Sequence, residues 1–307
     1  MLRARVLRGI EAGALRPGDR LPSARDWAGE LKLDHRAVLA AVRQLAGEGL
    51  VETRERGGIY VSNRQQSGGG VPPLPENWIV DVLAQGLTRE IPVPELSEWL
   101  RRCTETLRLR AAVITATADQ AFGLCRELRD DFGLEADAVA LDEIPDAAST
   151  DDVGAADVPL PLRRADLIVA TRAHERRARE IGALLHKPVI ATDVRPDLVT
   201  GEWALLLRKP VYAVVASQQF GEMLRRFFAE VPGVENLHIV VFGADDLSLI
   251  PSGAPTYVTQ HVRAQLAGVQ IPGQILPAAR TIAAASAREI LAFVVRSNLE
   301  ALHRLAR

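Results

Sequence analysis

The chain has 307 residues, with 37 Lys and Arg against 39 Asp and Glu, 48% hydrophobic and 25% charged residues, and two cysteines. That balance belongs to a globular protein of two or three domains, not to a disordered or collagen-like chain. No charge-free apolar run of about eighteen residues occurs, which argues against a membrane-spanning helix. The first residues lack the apolar segment of a signal peptide, and Cys103 and Cys125 both fall in helical patterns. A cytoplasmic, reduced protein without disulfides is therefore expected.

Charge is unevenly spread. Residues 1–64 hold 12 Lys and Arg against 8 Asp and Glu, leaving 25 against 31 for the remainder. A basic front end on an acidic body concentrates positive potential at one end, as expected where phosphates are met.

Residues 13–61 read as a small winged helix–turn–helix. Arg16-Pro17-Gly18 supplies a turn, and Ser23 stands where it caps a helix, with Asp26 three residues on. That short helix runs to Leu31 and breaks at Lys32-Leu33. A second helix begins at Asp34, carries Val38, Ala41, Val42 and Leu45 on one face, and is ended by Gly49. Residues 50–53 and 59–61 then read as two strands of a hairpin around Gly57-Gly58.

The order Leu21-Pro22-Ser23-x-Arg25, a helix, and Glu48-Gly49-Leu50-Val51 leading to Gly57-Gly58-x-Tyr60-Val61 resembles the DNA-binding domain of GntR-family bacterial transcription regulators. The resemblance covers about the first fifth of the chain, and the dozen residues ahead of Gly13 are few for the family's first helix. It implies DNA contacts from Ser23, Arg25, His35, Arg36, Gly57 and Gly58. A recognition helix enters the major groove with its N-terminal residues nearest the bases, which singles out His35 and Arg36. Where the family often carries an arginine one turn later, this chain has Leu39, so the family's base preference does not carry over.

Residues 65–77, within a stretch rich in Gly and Pro, read as a linker that is flexible first and stiffer later. Residues 78–109 follow as a helical connector, with Ile79, Val82, Leu83 and Leu87 on one helix and Leu96, Trp99, Leu100, Cys103 and Leu107 on the next. From residue 110 to 307 the texture is that of an α/β body. Apolar runs at 112–114, 138–141, 167–170, 189–191, 211–215 and 238–242 alternate with helical stripes, the pattern of parallel sheet covered on both faces. The spacing predicts two parallel-sheet lobes, near 110–207 and 208–280, and a closing helix over 284–306 with Leu291, Val295, Leu299 and Leu302 along one side.

Small polar residues recur where these strands end: Thr115, Thr117, Thr171, Arg172 and Asp193 in the first lobe, Ser217 and Gln218 in the second. Open parallel sheets bind ligands just outside the carboxyl ends of their strands, where helix N-termini favour carboxylate or phosphate. These residues are the candidate effector-binding set, with the pocket expected between the lobes, although each Thr or Ser also suits a plain helix cap. The alternation is similar to the two-lobed sensor domains of periplasmic-binding-protein type. Two-lobed amino-acid racemases share the alternation but place a cysteine at each of two strand ends, and here Thr and Ser stand there. The six histidines show no metal-ligand spacing and no phosphate-binding loop follows a strand, so no catalytic residue, metal or cofactor is expected.

The sequence thus predicts an N-terminal α+β winged helix–turn–helix and a C-terminal α/β body. The implied protein is a non-enzymatic, ligand-responsive repressor, a homodimer on an inverted-repeat operator, sensing a small, anionic metabolite. Two other readings stay open: a small-molecule enzyme fused to a DNA-binding domain, and a constitutive DNA binder whose body serves only to dimerise.

Overall fold

The computed structural model describes residues 2–11, 15, 18–47, 50–54, 58–62, 76–144, 157–196 and 198–305. Gly13, Arg16-Pro17, Gly49, Gly57 and the linker as far as residue 75 lie outside that set. The chain forms two compact units, Met1–Ser67 with Pro196–Ala279, and Gly68–Arg195 with Arg280–Arg307.

The first unit opens with the winged helix: α1 (Leu2–Glu11), β1 (Arg20–Leu21), α2 (Ala24–Leu31), α3 (His35–Gly47), β2 (Val51–Arg54) and β3 (Gly58–Val61). Its antiparallel sheet has the order β1-β3-β2, with Leu21 opposite Ile59 and Val51 opposite Val61. Val38, Val42 and Leu45, the predicted inner face of α3, close on Leu2, Val6 and the fully buried Trp27. The same unit holds an α/β lobe. It comprises a π-helical turn (Leu198–Trp203), α9 (Ala204–Leu206), β8 (Val211–Val215), α10 (Gln218–Phe227), β9 (Leu237–Val241), β10 (Pro255–Val258), α11 (Gln260–Gln265) and β11 (Gln274–Ile275). All neighbours in its sheet are parallel, in the order β11-β10-β8-β9. Val211, Ala213 and Val215 face Trp203, Phe220 and Phe228, while Val214 faces Ile250, Val258 and Val262.

The second unit contains α4 (Glu76–Leu87), α5 (Val93–Glu105), β4 (Arg110–Thr115), α6 (Ala118–Phe132), β5 (Glu135–Ala140), α7 (Leu160–Arg164), β6 (Leu167–Thr171), α8 (Glu175–Leu185), β7 (Val189–Thr192) and α12 (Ala284–Leu305). Its sheet is parallel throughout, in the order β5-β4-β6-β7. Alternation along β4 and β6 sends Val113 and Val169 to one core and Ile114 and Ile168 to the other, so both faces are covered. The two sheets therefore repeat one order, second-first-third-fourth, with the switch point between their first and third strands.

Two features depart from the sequence reading. The chain leaves the second unit at Arg195 and returns at Arg280, so the boundary read near 207 falls inside the other lobe and the closing helix belongs with the first sheet. Val194 pairs with Ile282 in an antiparallel bridge, and the Glu127 carboxylate accepts the Thr281 and Ile282 N–H groups and the Thr281 hydroxyl, fixing the returning strand. The buried side of α12 is Ser286, Ile290, Val294, Asn298 and Ala301, one residue out of phase with the stripe of Leu291, Val295, Leu299 and Leu302. Asn298 replaces apolar packing with a bond, its Oδ1 accepting the Leu107 N–H at 2.7 Å.

Candidate nucleic-acid interface and strand-end cluster

The helix–turn–helix is held by local caps. Ser23 Oγ accepts the Asp26 N–H at 3.2 Å while the Asp26 carboxylate accepts the Ser23 N–H at 3.0 Å, a reciprocal capping box. Those two hydrogen bonds hold the Asp26 carboxyl below the usual aspartate range. At the other end of α2, Lys32 takes a left-handed φ of 51°, and the Leu33 N–H returns to the Ala28 carbonyl at 3.0 Å. The turn is then short enough for Asp34 to cap α3, its Oδ1 accepting the N–H of Arg36 at 2.8 Å and of Ala37 at 3.2 Å.

This geometry puts His35 and Arg36 in the first turn of α3, and both are exposed, as is Arg25 in the first turn of α2. Two further cations escaped the sequence reading. Arg43 is exposed two helical turns beyond Arg36 on the same face of α3, a spacing visible in the sequence. Arg20 is less legible, because β1 is only two residues long. Its guanidinium lies over the wing, with Nε 3.3 Å from where a Cβ on Gly58 would stand. Gly58 has φ +107°, which an L side chain rarely adopts, so the backbone calls for glycine there. Gly57 lies outside the described residues.

The strand-end candidates fall into two groups, one per unit. In the second unit, Thr115 and Thr117 are buried at the carboxyl end of β4; the Thr115 hydroxyl donates to the Thr117 carbonyl, and Thr117 caps α6 through the Gln120 N–H. Thr171 ends β6 and precedes a 3-10 turn without capping it. Arg172 follows, its Nε donating to Asp193 Oδ1 at 2.9 Å, its Nη2 to Asp193 Oδ2 and its Nη1 to Glu175 Oε2 at 2.9 Å. The Arg172 hydrogen bonds hold the Asp193 carboxyl below its ordinary value; those of Arg179 and then Arg172 do the same for Glu175. Arg172 thus already holds two carboxylates.

In the first unit, Ser217 caps α10 through the Phe220 N–H at 3.3 Å, and Gln218 is exposed beside it. Thr259 was not among the predicted residues. It is buried at the end of β10, caps α11, and occupies the other side of that sheet's switch point. Both cysteines are buried inside the packing of α5 and α6, away from strand ends, and burial pushes the Cys125 thiol up to about 11. Among the described residues no cluster of three or more His, Cys, Asp and Glu side chains is arranged to hold a metal ion, and no helix is long and apolar enough to cross a membrane.

The family model described as bacterial regulatory proteins, gntR family, matches residues 1–61. The chain is also similar to the HTH-type transcriptional regulator Rv1152 of Mycobacterium tuberculosis, at 38% identity over 88 residues, which is 29% of this chain and 73% of that protein. Most of the α/β body lies outside both matches. Among solved structures, an aspartate transcarbamoylase from Trypanosoma cruzi in complex with phosphate overlays at a TM-score of 0.20 and 9% identity, covering 94% of this chain and 95% of that one. A second carbamoyltransferase chain from the same organism reaches 0.21 at 8% identity, covering 94% and 96%. Scores this low carry nothing about fold or chemistry.

Proposed function

The chain belongs to the GntR family of bacterial regulatory proteins and is a DNA-binding transcription regulator, and we propose that it is a cytoplasmic, ligand-responsive repressor acting as a homodimer on an inverted-repeat operator. The observation that carries this reading is the capped α2–α3 pair with Arg25, His35, Arg36 and Arg43 all exposed. Arg36 stands where a recognition helix meets base edges, and a guanidinium matches guanine O6 and N7 bidentately. Arg20 over the Gly58 wing supplies a backbone contact beside it.

The dimer reading is supported by the connector. Ile79, Val80, Leu87, Val93, Trp99 and Leu100 on α4 and α5 are all exposed in the single chain, as is Leu291 on α12. Large apolar side chains left exposed on helices that pack together, as α4, α5 and α12 do, mark interaction sites. The sensing reading is supported by Thr115, Thr117, Thr171, Arg172 and Asp193 at the carboxyl end of the first sheet, with Ser217 and Gln218 at the end of the second as a separate element. The effector is a small metabolite whose carboxylate or phosphate competes with Asp193 for Arg172.

The deciding experiment is selection of duplexes from a random-sequence pool by the full chain. Inverted repeats with half-site centres about one helical turn apart are expected. Arg36→Ala then loses about 1–3 kcal/mol on the selected duplex and relaxes one position in each half-site. Identical selected sequences and affinities for wild type and Arg36→Ala would remove Arg36 from the readout. A metabolite screen by thermal shift, repeated on Arg172→Gln, tests the sensor; a hit that stabilises both proteins equally places the ligand elsewhere.

A further inference from the structure

Arg5 on α1 is a cation where an apolar residue is the ordinary choice. It is 6% exposed, and within the first unit it is covered by the π-helical turn, a Cβ on Gly201 standing 3.9 Å from Arg5 Cγ. Its Nη2 donates to Glu30 Oε1 at 2.7 Å, while Nε and Nη1 have no hydrogen-bond partner among the described residues. Glu30 lies on α2, and the same Oε1 is 3.8 Å from Nη2 of Arg208, which follows α9 in the lobe. One carboxylate therefore joins two helices of the winged helix to a cation of the lobe.

Such an arrangement is poorly suited to permanent burial. A guanidinium with two unpaired nitrogens is costly to keep from water, and it regains hydration as soon as the covering segment lifts away. The long Glu30–Arg208 pair, with Arg208 more than half exposed, adds only modest attraction. The docked state is thus opposed by the desolvation of Arg5 and favoured by the Glu30 carboxylate and by the packing of the covering turn, which also buries Glu202. Arg25, His35 and Arg36 stay exposed while docked, so the contact fixes the direction of the reading face without covering it.

We infer that Arg5, Glu30 and Arg208 form a reversible latch that holds the winged helix on its α/β lobe in one orientation, and that release of this latch lowers affinity for DNA.

Spin labels on Thr53→Cys and Glu235→Cys, both exposed and both in this unit, report the orientation in the full chain when it is diluted with an excess of unlabelled protein, so that the measured pairs lie within one chain; the two native cysteines are buried and take no label. A single narrow distance distribution is expected for the otherwise unaltered protein. Arg208→Glu sets two carboxylates against each other and Glu30→Gln removes the shared charge; each is expected to broaden the distribution at least about twofold and to weaken binding to the duplex selected by the wild type about fivefold or more. Arg208 lies outside the winged helix, so its variant reports on the latch even where Glu30→Gln disturbs α2. A narrow distribution in both variants, or a broad one in the unaltered protein, overturns the latch. Broadening with unchanged DNA affinity overturns its role in binding.

Discussion

The two α/β lobes are built to one plan and finished differently. Thr117 and Ser217 cap α6 and α10 in the same way, and Leu124 and Leu128 hold the places taken by Leu224 and Phe228. Yet the lobe of the second unit ends its strands in an ion-pair cluster around Arg172, whereas the lobe of the first ends in Ser217, Gln218 and Thr259 over an aromatic core of Trp203, Phe228 and Tyr257. Alternating apolar strands and helix caps set the topology. The few residues just past each strand set the chemistry, so lobes that fold alike need not bind alike.

The comparison breaks most visibly at position 221. Its counterpart in α6 is Ala121, but a Cβ at Gly221 would stand 2.5 Å from Ile239 Cγ2, so α10 presses closer on its sheet. Gly221→Ala is expected to cost about 1–3 kcal/mol in urea unfolding, the usual penalty of overpacking. A variant as stable as the wild type would mean that the two helices sit equivalently after all.

The caps sharpen the likeness. Thr117→Ala and Ser217→Ala are each expected to lose about 1 kcal/mol, because each strips one N-terminal N–H of its acceptor. Calorimetric losses differing by much more than about 0.5 kcal/mol would show that the two caps carry different loads.

The smallest effect concerns pH and the Arg172 ion pair at the strand ends of the second unit's lobe. Asp193 has a folded pKa below its unfolded value, so its contribution to stability is present above the unfolded value, about 3.9, and is lost as pH falls through the lower folded one. Carbon NMR of the Asp193 carboxyl should therefore give a midpoint below about 3.9 that climbs back toward it in Arg172→Gln. An unshifted midpoint in the wild type would dissolve the ion pair as a distinguishing mark of that lobe.

What could be read in advance follows from how local each signal is. Ser23 with Asp26, and Asp34 ahead of α3, act within three residues, and their caps stand where the spacing puts them. The long apolar strands at 112–114, 167–170 and 211–215 are continuous in sequence and buried in the fold. β1, β10 and β11 are short, open on Arg20, Pro255 and Gln274 instead of on an apolar run, and owe their pairing to neighbours far along the chain. The buried face of α12 is not legible from apolar spacing, because its contacts run through Ser286, Asn298 and Ala301 as well as Ile290 and Val294. Nor does anything within α1 mark Arg5 as the arginine that is buried, since its cover arrives from residues 198–203.

The return of α12 to the first sheet has a consequence for synthesis. Ile290 and Val294 complete the core formed by Val113, Leu128 and Val169, and Ser286 Oγ accepts the Asp193 N–H at 3.0 Å. On the ribosome, the winged helix and the whole second sheet emerge before that wall is made. The lobe begun earlier is finished last, because its closing contacts span most of the body and long-range contacts form late. A nascent chain interrupted before residue 284 lacks Ile290 and Val294, and the face that carries Val113 and Val169 keeps the cover that Leu124, Cys125 and Leu128 of α6 supply. Truncation ahead of α12 therefore uncovers part of an apolar sheet face in a chain that still carries every residue of its winged helix.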